Sequence, residues 1–104
     1  MAPAGQEQLN ILLQALGGGN ADALDGIYAC MGGRMFALAC GIVKNRADAE
    51  DVVSESLIKL ARGIGAYRAG TNGCAFLLRI VRNCALDLLR RRRVRAEGDI
   101  GAFF

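Results

Sequence analysis

The stretch Cys74–Arg93, CAFLLRIVRNCALDLLRRRR, decides the fold. At about 100° per residue, Leu77, Ile80, Val81, Cys84, Ala85 and Leu88 share one face of a helix, the i, i+3, i+4, i+7 spacing of a packed stripe. Arg79, Arg82, Asn83, Arg90 and Arg93 fall on the opposite side. A helix that buries one face and sets guanidinium groups along the other suits a polyanion, because each guanidinium offers a planar fork of donors to phosphate oxygens. The plainer alternative is a solvated basic face, since arginine is also a good helix former, and charge alone does not separate the two.

Working outward, 104 residues make one small domain, and 53% apolar with 22% charged residues excludes a disordered chain. A single proline favours long helices over a many-turned sheet, so the expected class is all-α. The apolar run from Met35 to Val43 falls well short of the roughly 20 residues that span a bilayer. No basic segment precedes an apolar one at the N-terminus, so neither a secretion signal nor membrane insertion is expected, and the localisation is read as cytoplasmic. Charge is divided along the chain. Residues 1–61 hold four basic and seven acidic side chains, whereas 62–104 hold nine basic and three acidic. A basic part points to nucleic acid or phospholipid, and an acidic part to protein.

Three further helices are expected before the basic one. Glu7 to Leu16 sets Leu9, Leu12, Leu13 and Leu16 on one stripe, and Gly17-Gly18-Gly19 ends it. Asn20 or Asp22 can cap a second helix reaching about Lys44, with Leu24, Ile27, Tyr28, Met31, Met35, Leu38, Ala39 and Ile42 on its packed face. Gly32-Gly33 in its middle predicts a kink or the close approach of another helix. A third helix is read from Asp48, with Asp51 at the acid position of a capping box and Ala49, Val53, Leu57, Leu60 and Ile64 buried. Its exposed side carries Asp51, Ser54, Glu55, Ile58 and Arg62, an isoleucine inside an acidic face, which suits a docking site with an apolar centre and charged rim as well as a tolerated surface aliphatic. Gly63–Gly73 reads as a loop containing Tyr67 and Arg68, with Thr71 or Asn72 as the cap of the basic helix, which is expected to end near Arg93 or Arg95. The chain thus divides into an N-terminal helix and glycine linker (1–19), a core (22–95) and a tail (96–104).

Taken together, RADAEDVVSESLIKLAR (46–62) and AFLLRIVRNCALDLLRRRR (75–93), separated by a loop, closely resemble region 2 of bacterial sigma factors of the extracytoplasmic-function group. The resemblance runs from about Asp22 to Arg93. It implies a compact bundle of three main helices plus a short N-terminal helix, whose third helix docks on the clamp helices of the largest subunit of core RNA polymerase. Asp51 and Glu55 then occupy acidic docking positions, Ser54 stands where Gln is usual, and Ile58 supplies the apolar contact. It further implies that the basic helix and preceding loop open and read the minus-ten promoter element as single-stranded DNA, with Tyr67, Arg68, Asn72, Phe76, Arg79, Arg82, Asn83 and Arg90 as the contacting residues. The segment Tyr67 to Cys74 matches the one that accepts an unstacked base. Phe76 and Ala61 stand where Trp is usual, and Gly73 where a bulky residue is common. Family members carry a second, helix-turn-helix domain that has no match in these 104 residues, so the resemblance leads us to expect either an excised domain or a relative that lacks it. A second reading is a sigma-like interaction module that binds an anti-sigma factor or self-associates without promoter opening.

No catalytic group is expected: the chain has no His, and no Ser or Cys beside a base. No cofactor is expected either. Cys30, Cys40, Cys74 and Cys84 lack the close pairing of zinc sites and read as small apolar residues in a reducing compartment. Chelator or reductant should therefore leave helicity and Tm unchanged by circular dichroism; a loss of helicity on chelation would overturn this reading of the cysteines.

Overall fold

The computed structural model describes the backbone of residues 4–101 and the side chains of residues 6–96. It contains α1 (Ala4–Gly17), α2 (Ala23–Val43), α3 (Arg46–Gly63) and α4 (Gly73–Gly101), with one 3-10 turn at Ile64–Ala66 between α3 and α4. The expected all-α bundle is what forms. Three of its helices extend beyond the expected limits: α1 starts before Glu7, α3 starts before Asp48, and α4 runs past Arg95 to the last described residue.

Local chemistry sets the helix ends. Gly19 takes a left-handed φ of 97° just after α1, and the amides of Gly18, Gly19 and Asn20 close on carbonyls of the last turn. The Asn20 side chain then accepts from the Asp22 amide at 3.1 Å, while Asp22 itself makes no capping bond. At the far end of α2, Lys44 is left-handed (φ 58°) with its amide on the Cys40 carbonyl, and Asn45 turns extended. A lysine there carries a backbone strain of about 1 kcal/mol, tolerated because it reverses the chain in two residues. Asn45 caps α3 through the Asp48 amide at 3.0 Å. The third helix therefore begins at Arg46, not Asp48, and the acid at its third position is Asp48 rather than Asp51.

The core lies where α2 passes the other three helices. Ala23, Ile27, Met31, Met35, Ala39 and Val43 form its buried stripe, packed with Leu9 and Leu13 of α1, Val52 and Leu60 of α3, and Leu77, Val81 and Cys84 of α4. By length and composition α2 would also be apolar enough to cross a membrane. Tyr28 departs from the expected stripe and is 55% exposed. Conversely Val52 and Ser56 are buried; the Ser56 hydroxyl is satisfied by donating to the Val52 carbonyl at 2.6 Å.

Glycine does its work elsewhere than Gly32-Gly33. No helix approaches those two: a β-carbon on Gly33 would meet nothing, and one on Gly32 would meet only the Tyr28 ring, at 3.1 Å. The close approaches are by α1, at Gly26, where a β-carbon would lie 2.9 Å from Leu12 Cδ2, and at Gly73, where it would lie 2.5 Å from Asn10 Oδ1 and 2.6 Å from Leu13 Cδ1. Gly73 is thus the seat of α1. Gly73→Ala should destabilise by about 1–3 kcal/mol through overpacking, whereas Gly33→Ala should stabilise by up to about 1 kcal/mol through helix propensity. Urea unfolding measures both, and equal effects would contradict this packing.

Candidate protein- and nucleic-acid-binding faces

Two helices supply the exposed functional side chains, and each divides them by its own period. On α3, Ile58 stands 53% exposed, with Asp51, Ser54 and Arg62 exposed around it and Glu55 half-buried toward α4. This face is flanked by two clefts. One, of about 440 Å³, lies against α2 and is lined by Tyr28, Phe36, Arg46, Glu50, Val53 and Ser54. The other, of about 380 Å³, lies against α4 and is lined by Asp51 and Glu55 of α3 and by Leu88, Arg91, Arg92 and Arg95 of α4.

The arginines of α4 fall into two sets. Arg79, Arg82, Asn83, Arg90 and Arg93 are exposed, as the helical period predicts. Among the described residues Arg79, Arg82 and Asn83 make no intramolecular hydrogen bond or ion pair, while Arg90 donates to Asp87 on its own helix at 3.3 Å. The second set lies on the other side of the helix. Arg91, Arg92 and Arg95 continue the positions of Leu77, Val81, Cys84 and Leu88, so they turn toward α3. Arg92 holds Asp48 through both guanidinium nitrogens, with the Asp48 side chain only 9% exposed. Arg91 lies 3.7 Å from Glu55, which Lys59 approaches from its other oxygen at 3.5 Å; Lys59 also lies 3.9 Å from Asp87. The signal was available in the sequence: extending the apolar stripe past Leu88 lands on these arginines, and charge at a core-facing position requires a partner.

Lys59 is held above its ordinary pKa, first by a Coulombic interaction with Cys84 and then, against some desolvation, by Glu55 and Asp87; it is a cation throughout the neutral range. Burial pushes the Cys30 thiol up, partly offset by a hydrogen bond from its own backbone, so it stays protonated and unreactive at neutral pH; the thiol itself donates to the Ile27 carbonyl at 3.6 Å. All four cysteines are free, and among the described residues no cluster of His, Cys, Asp or Glu could hold a metal ion.

The loop before α4 is tied down by side chains the sequence reading assigned to DNA. Tyr67 donates its hydroxyl to Asn10 Oδ1 at 3.0 Å, and its ring meets Phe76 at a centroid distance of 5.5 Å, tilted by 54°. Asn72 caps α4 by accepting from the Ala75 amide at 3.0 Å and also accepts from Gln6 at 3.5 Å. Thr71 donates to the Arg68 carbonyl at 2.6 Å, leaving the Arg68 side chain exposed. The structure therefore brings Tyr67, Asn72 and Phe76 together with α1, and sets Arg68 outside that group. The part played by Asn10 and Gln6 was not foreseen, because α1 was read from its leucines alone. A cleft of about 310 Å³ lined by Gln6, Leu9, Cys30, Met31, Arg34, Asn72 and Cys74 adjoins this loop.

An acidic face centred on isoleucine and an arginine face on a neighbouring helix give this helical bundle two unlike surfaces. The sequence pattern of the Sigma-70 region 2 family matches residues 27–95, and the chain belongs to that family, in its extracytoplasmic-function form. It is 32% identical over 75 residues to the RNA polymerase sigma factor CarQ of Myxococcus xanthus, covering 72% of this chain and 43% of that protein. It is 40% identical over 65 residues to the ECF RNA polymerase sigma factor SigE of Mycolicibacterium smegmatis, covering 62% of this chain and 25% of that protein. The chain thus matches less than half the length of either relative. No solved structure matches it.

The Asp48–Arg92 contact gives the sharpest test of this geometry. Asp48→Ala should lower stability by about 2 kcal/mol, as expected for a buried, charge-assisted pair. A double-mutant cycle with Arg92→Ala should return a coupling of at least about 1 kcal/mol in urea unfolding. Additive single effects would mean that the two side chains act independently.

Proposed function

We propose that this domain acts in transcription initiation: α3 docks on the clamp helices of core RNA polymerase, and α4 holds single-stranded minus-ten promoter DNA. The observation that carries the reading is the separation of charges by period. Arg79, Arg82 and Asn83 stand outward on α4 with no intramolecular partner among the described residues, while the carboxylates gather on and beside the α3 face with Ile58 at its centre. Promoter opening needs no acid, base or metal. It needs contacts that favour separated strands over duplex, at a cost of a few kcal/mol per unstacked base. Outward arginines supply phosphate contacts, and the tether to polymerase raises the effective concentration of the domain at the promoter.

A specific observation keeps the interaction-module reading in view. Tyr67 of the loop and Phe76 of the first turn of α4 are half-buried and packed on each other, so neither ring lies open as a platform for a base. In that reading the same α3 face binds an anti-sigma factor or a second copy, without strand selection.

With core polymerase, Glu55→Lys should weaken binding at least about tenfold, because it reverses a charge at the rim of the apolar contact. Its Tm should change little, since the exposed pairs it loses are each worth at most about 1 kcal/mol. On the polymerase-bound domain, cognate single strands should be preferred over duplex and over scrambled strands, and Asn83→Ala should reduce that preference. Equal binding of all three DNAs would leave the interaction module as the function.

A further inference from the structure

The far end of α4 is more than a continuation of the nucleic-acid face. Leu88, Arg91, Arg92 and Arg95 of α4 and Asp51 and Glu55 of α3 line the 380 Å³ cleft. Arg92 is committed to Asp48, and Arg91 stands 3.7 Å from Glu55. Among the described residues Arg95 and Asp51 enter no ion pair, although they line the same cleft. Among the described residues, the cleft therefore presents a cation of α4 and an anion of α3 that enter no ion pair, with the apolar Leu88 also lining it.

Resting on the docking role proposed for α3, we propose that the polymerase-docking surface is this two-helix seam, with Arg95, assisted by Arg91, contacting carboxylates of the partner while Asp51 and Glu55 take its cations. Charge complementarity selects the occupant: a polymerase helix carrying acidic and basic side chains in adjacent rows, with an apolar residue between them to meet Leu88. A nucleic acid does not fit, because a strand bound to Arg95 would set its phosphates against Asp51 and Glu55. A purely basic partner surface would satisfy the α3 wall and be repelled by the α4 wall. The pairs across the seam help this role, since Arg92 on Asp48 fixes the position of the α4 backbone from which Arg91 and Arg95 project.

The test compares wild type, Arg95→Glu, Arg82→Glu and Glu55→Lys in two assays: affinity for purified core RNA polymerase, and affinity for a fluorescent single-stranded oligonucleotide. Both are run near physiological salt, where screening over about 8 Å removes most long-range effects of net charge. Arg95 is an exposed side chain, so its reversal should leave the helical circular dichroism signal intact, and Arg95→Ala provides a milder variant with the same expected sign. Arg95→Glu should weaken polymerase binding about tenfold and leave single-strand binding within about twofold, while Arg82→Glu should show the reverse pattern. A loss of single-strand binding by Arg95→Glu with polymerase binding unchanged, or no change in either assay, overturns the proposal. If Glu55→Lys weakens polymerase binding and Arg95→Glu does not, the seam fails and the α3 docking face stands. If neither variant weakens it, or wild type does not bind polymerase, both fail together.

Discussion

The contact between Asp48 and Arg92 is where the bundle changes from an apolar to an ionic interface, and both candidate binding faces lie on the two helices it joins. Up to Leu88, α4 packs on α2 and α3 through Leu77, Val81, Cys84 and Ala85. Beyond that point the same helical positions carry arginine, and the chain continues against α3 only because carboxylates wait there. The pair is effective because Asp48 is nearly enclosed, the carboxylate is gripped by a planar fork, and Arg92 keeps partial contact with water. An aspartate at the third position of a helix also favours the amino-terminal dipole, so one residue stabilises the start of α3 and fixes the end of α4. The remaining cross-pairs, Arg91 with Glu55 and Lys59 with Asp87, join more exposed side chains at longer distances. They exchange partners at little cost, which suits residues at a docking rim.

Much of this was legible because α2 and α4 obey a single period over long runs. The all-α class, the stripe of α4 from Leu77 to Leu88 and the outward placement of Arg79, Arg82 and Asn83 follow from spacing alone. The exposure of Ile58 was legible too, since it falls opposite Ala49, Val53 and Leu60. Where the reading slipped, a local preference was overridden by a long-range contact. Asp48 looked like a helix-starting residue and is instead a third-position acid engaged with Arg92, 44 residues away. Tyr28 fits the apolar period but stays out, its ring lying along α2 over Gly32, where no side chain blocks it. Gly32-Gly33 drew attention as a pair, yet the glycines that helix packing requires are Gly26 and Gly73, each opposite a residue of α1 that no local pattern identifies.

The loop shows the same limit from the functional side. Tyr67 and Phe76 are the residue types a nucleic-acid site would use, and sequence spacing sets them beside the arginines. Their environment depends on α1: Asn10 holds the Tyr67 hydroxyl and Gln6 reaches Asn72. α1 thus holds the loop through polar contacts as well as through Leu13 over Gly73. Opening this loop to receive a base would exchange those bonds for contacts with DNA. Such an exchange is compatible with strand selection only if the DNA contacts exceed both the bonds lost and the unstacking cost of a few kcal/mol.

The central claim is that one helical period divides the arginines of α4 between two kinds of partner. Arginine side-chain NMR tests it most directly, by following the Nε–Hε resonances while a single-stranded minus-ten oligonucleotide is titrated into the domain docked on a clamp-helix fragment of polymerase. The account predicts that Arg79 and Arg82 shift with DNA while Arg91, Arg92 and Arg95 do not. Shifts spread evenly over all five would contradict it, and would return the basic helix to a single undivided polyanion surface.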